Sequence, residues 1–282
     1  PHTIQPLSAL PTVTDPVVLD ATTQPGYAGT PLIELDGSLA GVGVNGLHIT
    51  AGSSTVRVFA INRFQSAATV GNGIALENGD GNIVQSNFIG TDVSGTIAMG
   101  NELHGIYINN SSNNLIGTDG DGNSDDAERN VVSGNLRMGV AIYSGTGNKV
   151  AGNLIGTNAS GTAALGNAEL GIYVAPASSN NTIGTDGSND AFNANERNII
   201  ASNGYTEVSA SGTNTVVAGN FIGTDITGTV ALGYDPGYGG VRIGGDFVVV
   251  GTNGDGIADA EERNVISNHS IGVWLLSGEH NV

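Results

Sequence analysis

The chain of 282 residues contains no cysteine. Disulfides and thiolate metal sites are therefore excluded, and the fold has to be held by apolar burial. Positive charge is almost as scarce: 8 Lys plus Arg, only one of them lysine, face 26 Asp plus Glu, for a formal charge of -18. That balance argues against nucleic acid or an anionic membrane surface as partner and favours cations. No apolar run approaches the roughly 18 residues a spanning helix needs, so membrane insertion is not expected. Pro1-His2-Thr3 has the form of neither a signal peptide nor an initiator, and Glu279-His280-Asn281-Val282 falls in mid-repeat, so the chain reads as a fragment with neighbouring repeats of a longer protein on both sides. Glycine is what the chain has in excess, at 45 residues, while its hydrophobic content of 39% is too high for disorder. Turn-dense β structure accommodates both.

Self-similarity organises the sequence. Asn-x-Ile-Gly-Thr starts at Asn87, Asn153 and Asn220, and Glu-Arg-Asn starts at Glu128, Glu196 and Glu262, so two independent markers agree on a period of about 67 residues. Each period splits in two. A glycine followed by alternating apolar residues recurs at Gly73, Gly105, Gly139, Gly171, Gly240 and Gly272, giving a unit of about 33 residues. Within one unit the alternation appears three times, as in Ile106-Tyr107-Ile108, Leu115-Ile116-Gly117 and Val131-Val132-Ser133. Strands this short bury little alone, but coils stacked about 4.8 Å apart enclose a continuous core. The expected fold is all-β, a right-handed parallel β-helix with three short strands per coil over residues 45–282. Residues 1–44 form irregular opening coils in which Pro16 to Asp20 and Leu32 to Asp36 read as strands. Corner asparagines such as Asn113-Asn114, Asn135, Asn153, Asn180-Asn181 and Asn220 are expected to tolerate left-handed backbone and to bond their counterparts one coil away.

Extra residues fall at two alternating places. One kind of insertion follows the second strand, at Thr118 to Glu128, Thr185 to Glu196 and Thr252 to Glu262; the other follows the third, at Asp92 to Asn101, Asn158 to Asn167 and Asp225 to Gly233. Loops of one kind should line one corner, two coils or about 9.6 Å apart.

These elements, above all Asn-x-Ile-Gly-Thr-Asp-x-x-Gly-Thr-x-Ala at Asn87, its copy at Asn153 with Asn158 in place of the Asp, and the Glu-Arg-Asn strands, resemble the bacterial right-handed parallel β-helix repeat proteins of pectin-lyase-like architecture. The resemblance runs from about residue 45 to 282 and implies a segment of a long secreted or cell-surface protein. It speaks for the fold more than for an activity, because this architecture carries lyases, hydrolases, epimerases and inert adhesins.

Four groups of residues carry candidate chemistry. Asp119-Gly120-Asp121-Gly122-Asn123-Ser124-Asp125 with Glu128, echoed by Asn253, Asp255, Asp259 and Glu262, sets oxygen donors at alternate positions among glycines, as a hard calcium ion requires. The middle copy, Asp186 to Asn193, keeps fewer carboxylates. Arg129, Arg197 and Arg263 follow the three loops at one equivalent position, and recurrence favours an anchoring role in which each bonds its own loop. The outward positions of the first strand form a column of His48, Ala75, Tyr107, Ala141, Tyr173, Arg242 and Trp274, in which Tyr107, Tyr173, Arg242 and Trp274 are candidates for binding a polysaccharide by ring stacking and polar contact. The most irregular stretch, with Tyr205, Glu207, Asp235 and Tyr238, is the place to look for a cleft. No pair of carboxylates stands where a glycosidase would need it, none of the five histidines has a zinc-ligand partner, and no residue is assigned as catalytic.

Two readings follow. The chain is a structural or adhesive surface module, stabilised by calcium and binding glycans, or it is a polysaccharide-active enzyme of the calcium-assisted lyase kind. An enzyme should break the repeat at one cleft; a scaffold should keep it throughout.

Overall fold

The computed structural model describes residues 1–68, 70–233 and 237–282. Its strands form three sheets, of nine, eight and eight members, and every strand-to-strand pairing within them is parallel. The chain visits the sheets in rotation. A representative turn runs through Ile106–Asn109 in the first sheet, Leu115–Gly117 in the second and Val131–Val132 in the third. The next turn repeats the path at Val140–Thr146, Lys149–Ala151 and Leu154–Ile155. Ile106 lies in register with Val140, Leu115 with Lys149 and Val131 with Leu154. This is the right-handed parallel β-helix of three short strands per coil that the repeat predicts. The strands of the opening coils belong to the same ladders: Val18–Asp20 pairs with Thr55–Arg57, and Ile33–Asp36 with Phe59–Asn62.

Alternation decides which residues enter the coil. Ile106, Ile108, Ile116, Val132, Val140, Ile142, Val150 and Ile155 are fully buried and form one continuous core along the axis. Strands mostly of two to four residues leave many backbone groups at the corners, and asparagine side chains satisfy them. In one file, Nδ2 of each residue donates to Oδ1 of the next through Asn87, Asn130, Asn153, Asn198, Asn220 and Asn264, at 2.9 to 3.1 Å. A second file joins Asn82, Asn114, Asn148 and Asn181. The two properties expected of corner asparagine are divided between neighbours: Asn113 and Asn180 take the left-handed backbone, at φ 55° and 54°, and the buried Asn114 and Asn181 carry the ladder. Gly117 shows why glycine marks the strand ends. Its φ is +104°, and a Cβ there would lie 1.9 Å from the Ala151 carbonyl oxygen of the next coil.

Candidate functional site

The insertions stack on their corner as the spacing requires. Each is closed by the same bond: an oxygen of Glu128, Glu196 or Glu262 accepts the backbone N–H of Asp119, Asp186 or Asn253, at 3.3, 3.1 and 3.0 Å. Asn195 of the middle insertion reaches back to donate to Asp125 Oδ2 at 2.6 Å. The first and middle insertions end in short helical turns, Asp125–Glu128 and Asn193–Glu196, which period-two reasoning had no means to register.

Within the first insertion the five candidate ligands separate into two sets. Asp119, Asp125 and Glu128 converge, each offering an oxygen within 4.8 Å of the others. Asp121 and Asn123 stay exposed, because Asp121 Oδ1 is occupied by the Asn123 N–H at 2.7 Å in an Asx-turn. Burial pushes the Glu128 carboxyl above its usual range, and the charges of Asp119 and Asp125 push the same way against the hydrogen bonds it receives. In the last insertion Asp255 likewise caps the turn at Ile257, Asp259 Oδ1 accepts the Thr252 hydroxyl at 2.8 Å, and Glu262 is buried. The middle insertion holds the chain's only lysine. Lys149 Nζ bonds Asp186 Oδ2 at 2.7 Å and Glu196 Oε1, and these two carboxylates outweigh the burial that would otherwise discharge it.

The arginines after the loops do not share one role. Arg129 pairs with Asp126 of its own loop at 2.9 Å, as an anchor should. Arg197 instead reaches forward, donating to the Gly219 carbonyl at 2.8 Å with its guanidinium 4.2 Å from the Phe221 ring centre. The Phe221 ring of the next coil gives it an apolar and polarisable seat that its own loop lacks.

On the first sheet, Tyr107 and Tyr173 flank the fully buried Ala141 in the ladder. Against the strand of Tyr107 the register slips by one residue beyond Ile142, and Tyr143, the extra residue, lies between the two tyrosines, 5.3 Å from Tyr107 and 5.6 Å from Tyr173 by ring centres. His104 stacks on Tyr107 at 6.0 Å, and burial holds the imidazole uncharged, its pKa down at about 4. The exposed column thus becomes a packed aromatic stripe. Ser209 follows Tyr173 in the same column and precedes Arg242 and Trp274. Sequence reasoning passed over Ser209 because its coil begins with Glu207 in place of the marker glycine.

Beyond the stripe lies a cleft of about 460 Å³ lined by Glu169, Leu170, Tyr205, Thr206, Tyr238, Arg242, Trp274 and Leu276. Tyr205 and Tyr238 meet edge to face at 5.1 Å. Arg242 is exposed and makes no hydrogen bond or ion pair among the described residues, whereas Glu169 is bound by Arg137 at 3.1 Å. So the structure brings Arg242 and Trp274 together with Tyr205 and Tyr238, and sets Tyr107 and Tyr173 apart from them in the stripe. Asp235 lies outside the described residues. Glu207 does not reach the cleft: it is 1% exposed and its carboxylate accepts the Asn203 side-chain amide, ending the file Asn101, Asn135, Asn167, Asn203. Burial pushes its pKa up to about 7, against the hydrogen bonds from Asn203.

No protein-family model matches the sequence, and no curated protein matches it. Among solved structures, a mutant of the periplasmic alginate epimerase AlgG is similar over 89% of this chain and 50% of its own, at 15% identity and a TM-score of 0.45. The Dettilon tailspike protein gp208 is similar over 98% of this chain and 61% of its own, at 16% identity and a TM-score of 0.48. The chain therefore spans about half the length of the first and about three fifths of the second. The ladders themselves define the class: the chain is a right-handed parallel β-helix repeat protein. No helix among the described residues is long and apolar enough to cross a membrane.

Proposed function

We propose that this β-helix is a rigid module of a secreted or cell-surface protein that binds polysaccharide, with the sugar seated in the cleft at Trp274 and the chain running along the aromatic stripe. One observation carries the reading. Two solvent-reaching tyrosines, the only tryptophan and an arginine with no hydrogen bond or ion pair among the described residues converge on a concave site in a protein whose charge is -18. Rings offer faces to sugar C–H groups, and a free guanidinium suits hydroxyls or a uronate carboxylate. Glu169 is the one carboxylate lining the cleft among the described residues, and it is engaged by Arg137. Glycosidic hydrolysis needs a pair of carboxylates, and the described residues of the cleft, with their rings and guanidinium, support binding best.

Because Trp274 is the only tryptophan, its fluorescence reports on this cleft alone. Titration with neutral and uronate-rich oligosaccharides should give a saturable change in intensity or wavelength, lost in Arg242→Ala if the ligand is acidic. A flat response to the whole panel, with no retardation of the chain in polysaccharide gels, would remove the reading.

A further inference from the structure

We propose that the first insertion holds one divalent cation of the hard, oxygen-preferring kind, calcium, bound by Asp119, Asp125 and Glu128. This site is on a corner of the coil and stands or falls independently of glycan binding.

Three loops of one path allow a comparison inside one chain. Three positions before the closing glutamate stand Asp125, Asn193 and Asp259. In the middle and last insertions the Oδ1 at this position accepts the hydroxyl of the loop's first threonine, Thr185 at 2.6 Å and Thr252 at 2.8 Å. In the first insertion it does not. Asp125 is 3% exposed, its Oδ2 is taken by Gly122 and Asn195, and its Oδ1 has no hydrogen-bond partner. A buried carboxylate oxygen without a donor is costly, and Asp125 is one of the three residues that each offer an oxygen within 4.8 Å of the others.

The middle insertion indicates what is missing. There a positive charge already bridges the opening aspartate and the closing glutamate, in the form of Lys149 Nζ. Lys149 comes from the preceding coil, in register with Thr182 at the base of that loop. The corresponding residue below the first insertion is Ile83, in register with Leu115. An ammonium is thus present beside the loop that has lost one acid to Asn193, and an aliphatic side chain beside the loop that keeps all three. Three carboxylates, with backbone carbonyls and water completing six to eight oxygens, match calcium better than magnesium, which demands a tight octahedron.

Calorimetric titration of the chain with calcium tests the site. The tightest class should contain about one ion per chain. Asp125→Asn, which keeps the shape and, with its amide oxygen turned to Gly122 and Asn195, their two hydrogen bonds, should weaken it at least tenfold, and Glu128→Gln should do the same, so that a folding defect in either variant cannot mimic the result. Asp121→Asn should change it less than twofold, since Asp121 only caps a turn. No saturable binding up to millimolar calcium, or equal losses in Asp121→Asn and Asp125→Asn, would overturn the site.

Discussion

The first and middle insertions start from the same kind of threonine, close with the same glutamate-to-amide bond and lie one on the other, yet they settle their negative charge differently. In the middle one, Lys149 from the coil beneath neutralises Asp186 and Glu196. In the first, three carboxyls face one another with an aliphatic residue beneath, and one buried oxygen lacks a donor. The difference teaches how a solenoid diversifies. Path is set by hydrogen bonds that recur in every copy, while charge is set by whichever residue the coil about 4.8 Å below happens to present. A loop can therefore exchange a bound ion for an internal ammonium without changing shape.

The largest break in this comparison should come from Lys149→Met. It leaves Glu196, which is 3% exposed, without its cation, and removing one partner of a buried pair costs about 3 to 4 kcal/mol. The denaturation midpoint in chelator should fall accordingly, and millimolar calcium should restore part of the loss if an ion enters where the ammonium was. No recovery with calcium would mean that the two loops are not interchangeable.

Glu207 separates the corner from the rest of the molecule. Its pKa in the folded chain is raised from 4.5 to about 7, so its contribution to stability is fully present below pH 4.5 and is lost as pH rises through about 7. Glu207→Gln should then be about 2 to 3 kcal/mol more stable than the parent at pH 8, with the gap vanishing by pH 4.5. What remains of the pH dependence in the variant belongs to the insertions and to groups such as His104, whose pKa burial holds down at about 4. Equal stability of variant and parent across that range would remove Glu207 as its source.

A smaller effect, of opposite sign to that of Lys149→Met, is expected for Asp125→Asn in chelator. Replacing the one buried oxygen that lacks a donor with an amide N–H that can donate to a neighbouring carboxylate should raise stability by about 1 kcal/mol, and the calcium-dependent rise in Tm should disappear with it. Smallest for the fold is Tyr205→Ala at the cleft. Tyr205 is 47% exposed, so Tm should hardly move, while loss of one stacking ring should weaken oligosaccharide binding about fivefold, roughly 1 kcal/mol. Tm and affinity falling together would assign the ring to structure.

The architecture was legible because it is repeated. Each strand, asparagine file and stacked insertion announces itself several times, and one misread copy is outvoted by the others. The site was legible only in part. Alternating Asp and Asn in the first insertion marks both turn formers and ligands, and nothing in the pattern separates Asp121, which caps a backbone amide, from Asp125, which turns inward. Lys149 is 37 and 47 residues from its partners, and only the coil register joins them. Tyr143 enters the aromatic stripe through a one-residue slip beyond Ile142, against the strand of Tyr107, that strict alternation cannot foresee. Glu207 lies in the most irregular stretch, which points to a cleft; the irregularity is real, but its carboxylate fills the inside of the coil, where it ends an asparagine file.

A structure of crystals grown in calcium, with the ion located by its anomalous scattering, tests the central claim most directly. The account predicts a single strong site about 2.4 Å from oxygens of Asp119, Asp125 and Glu128, and Lys149 still seated between Asp186 and Glu196 with no ion beside it. A first insertion without density at that point, or an ion between Asp186 and Glu196 with Lys149 turned away, would contradict it.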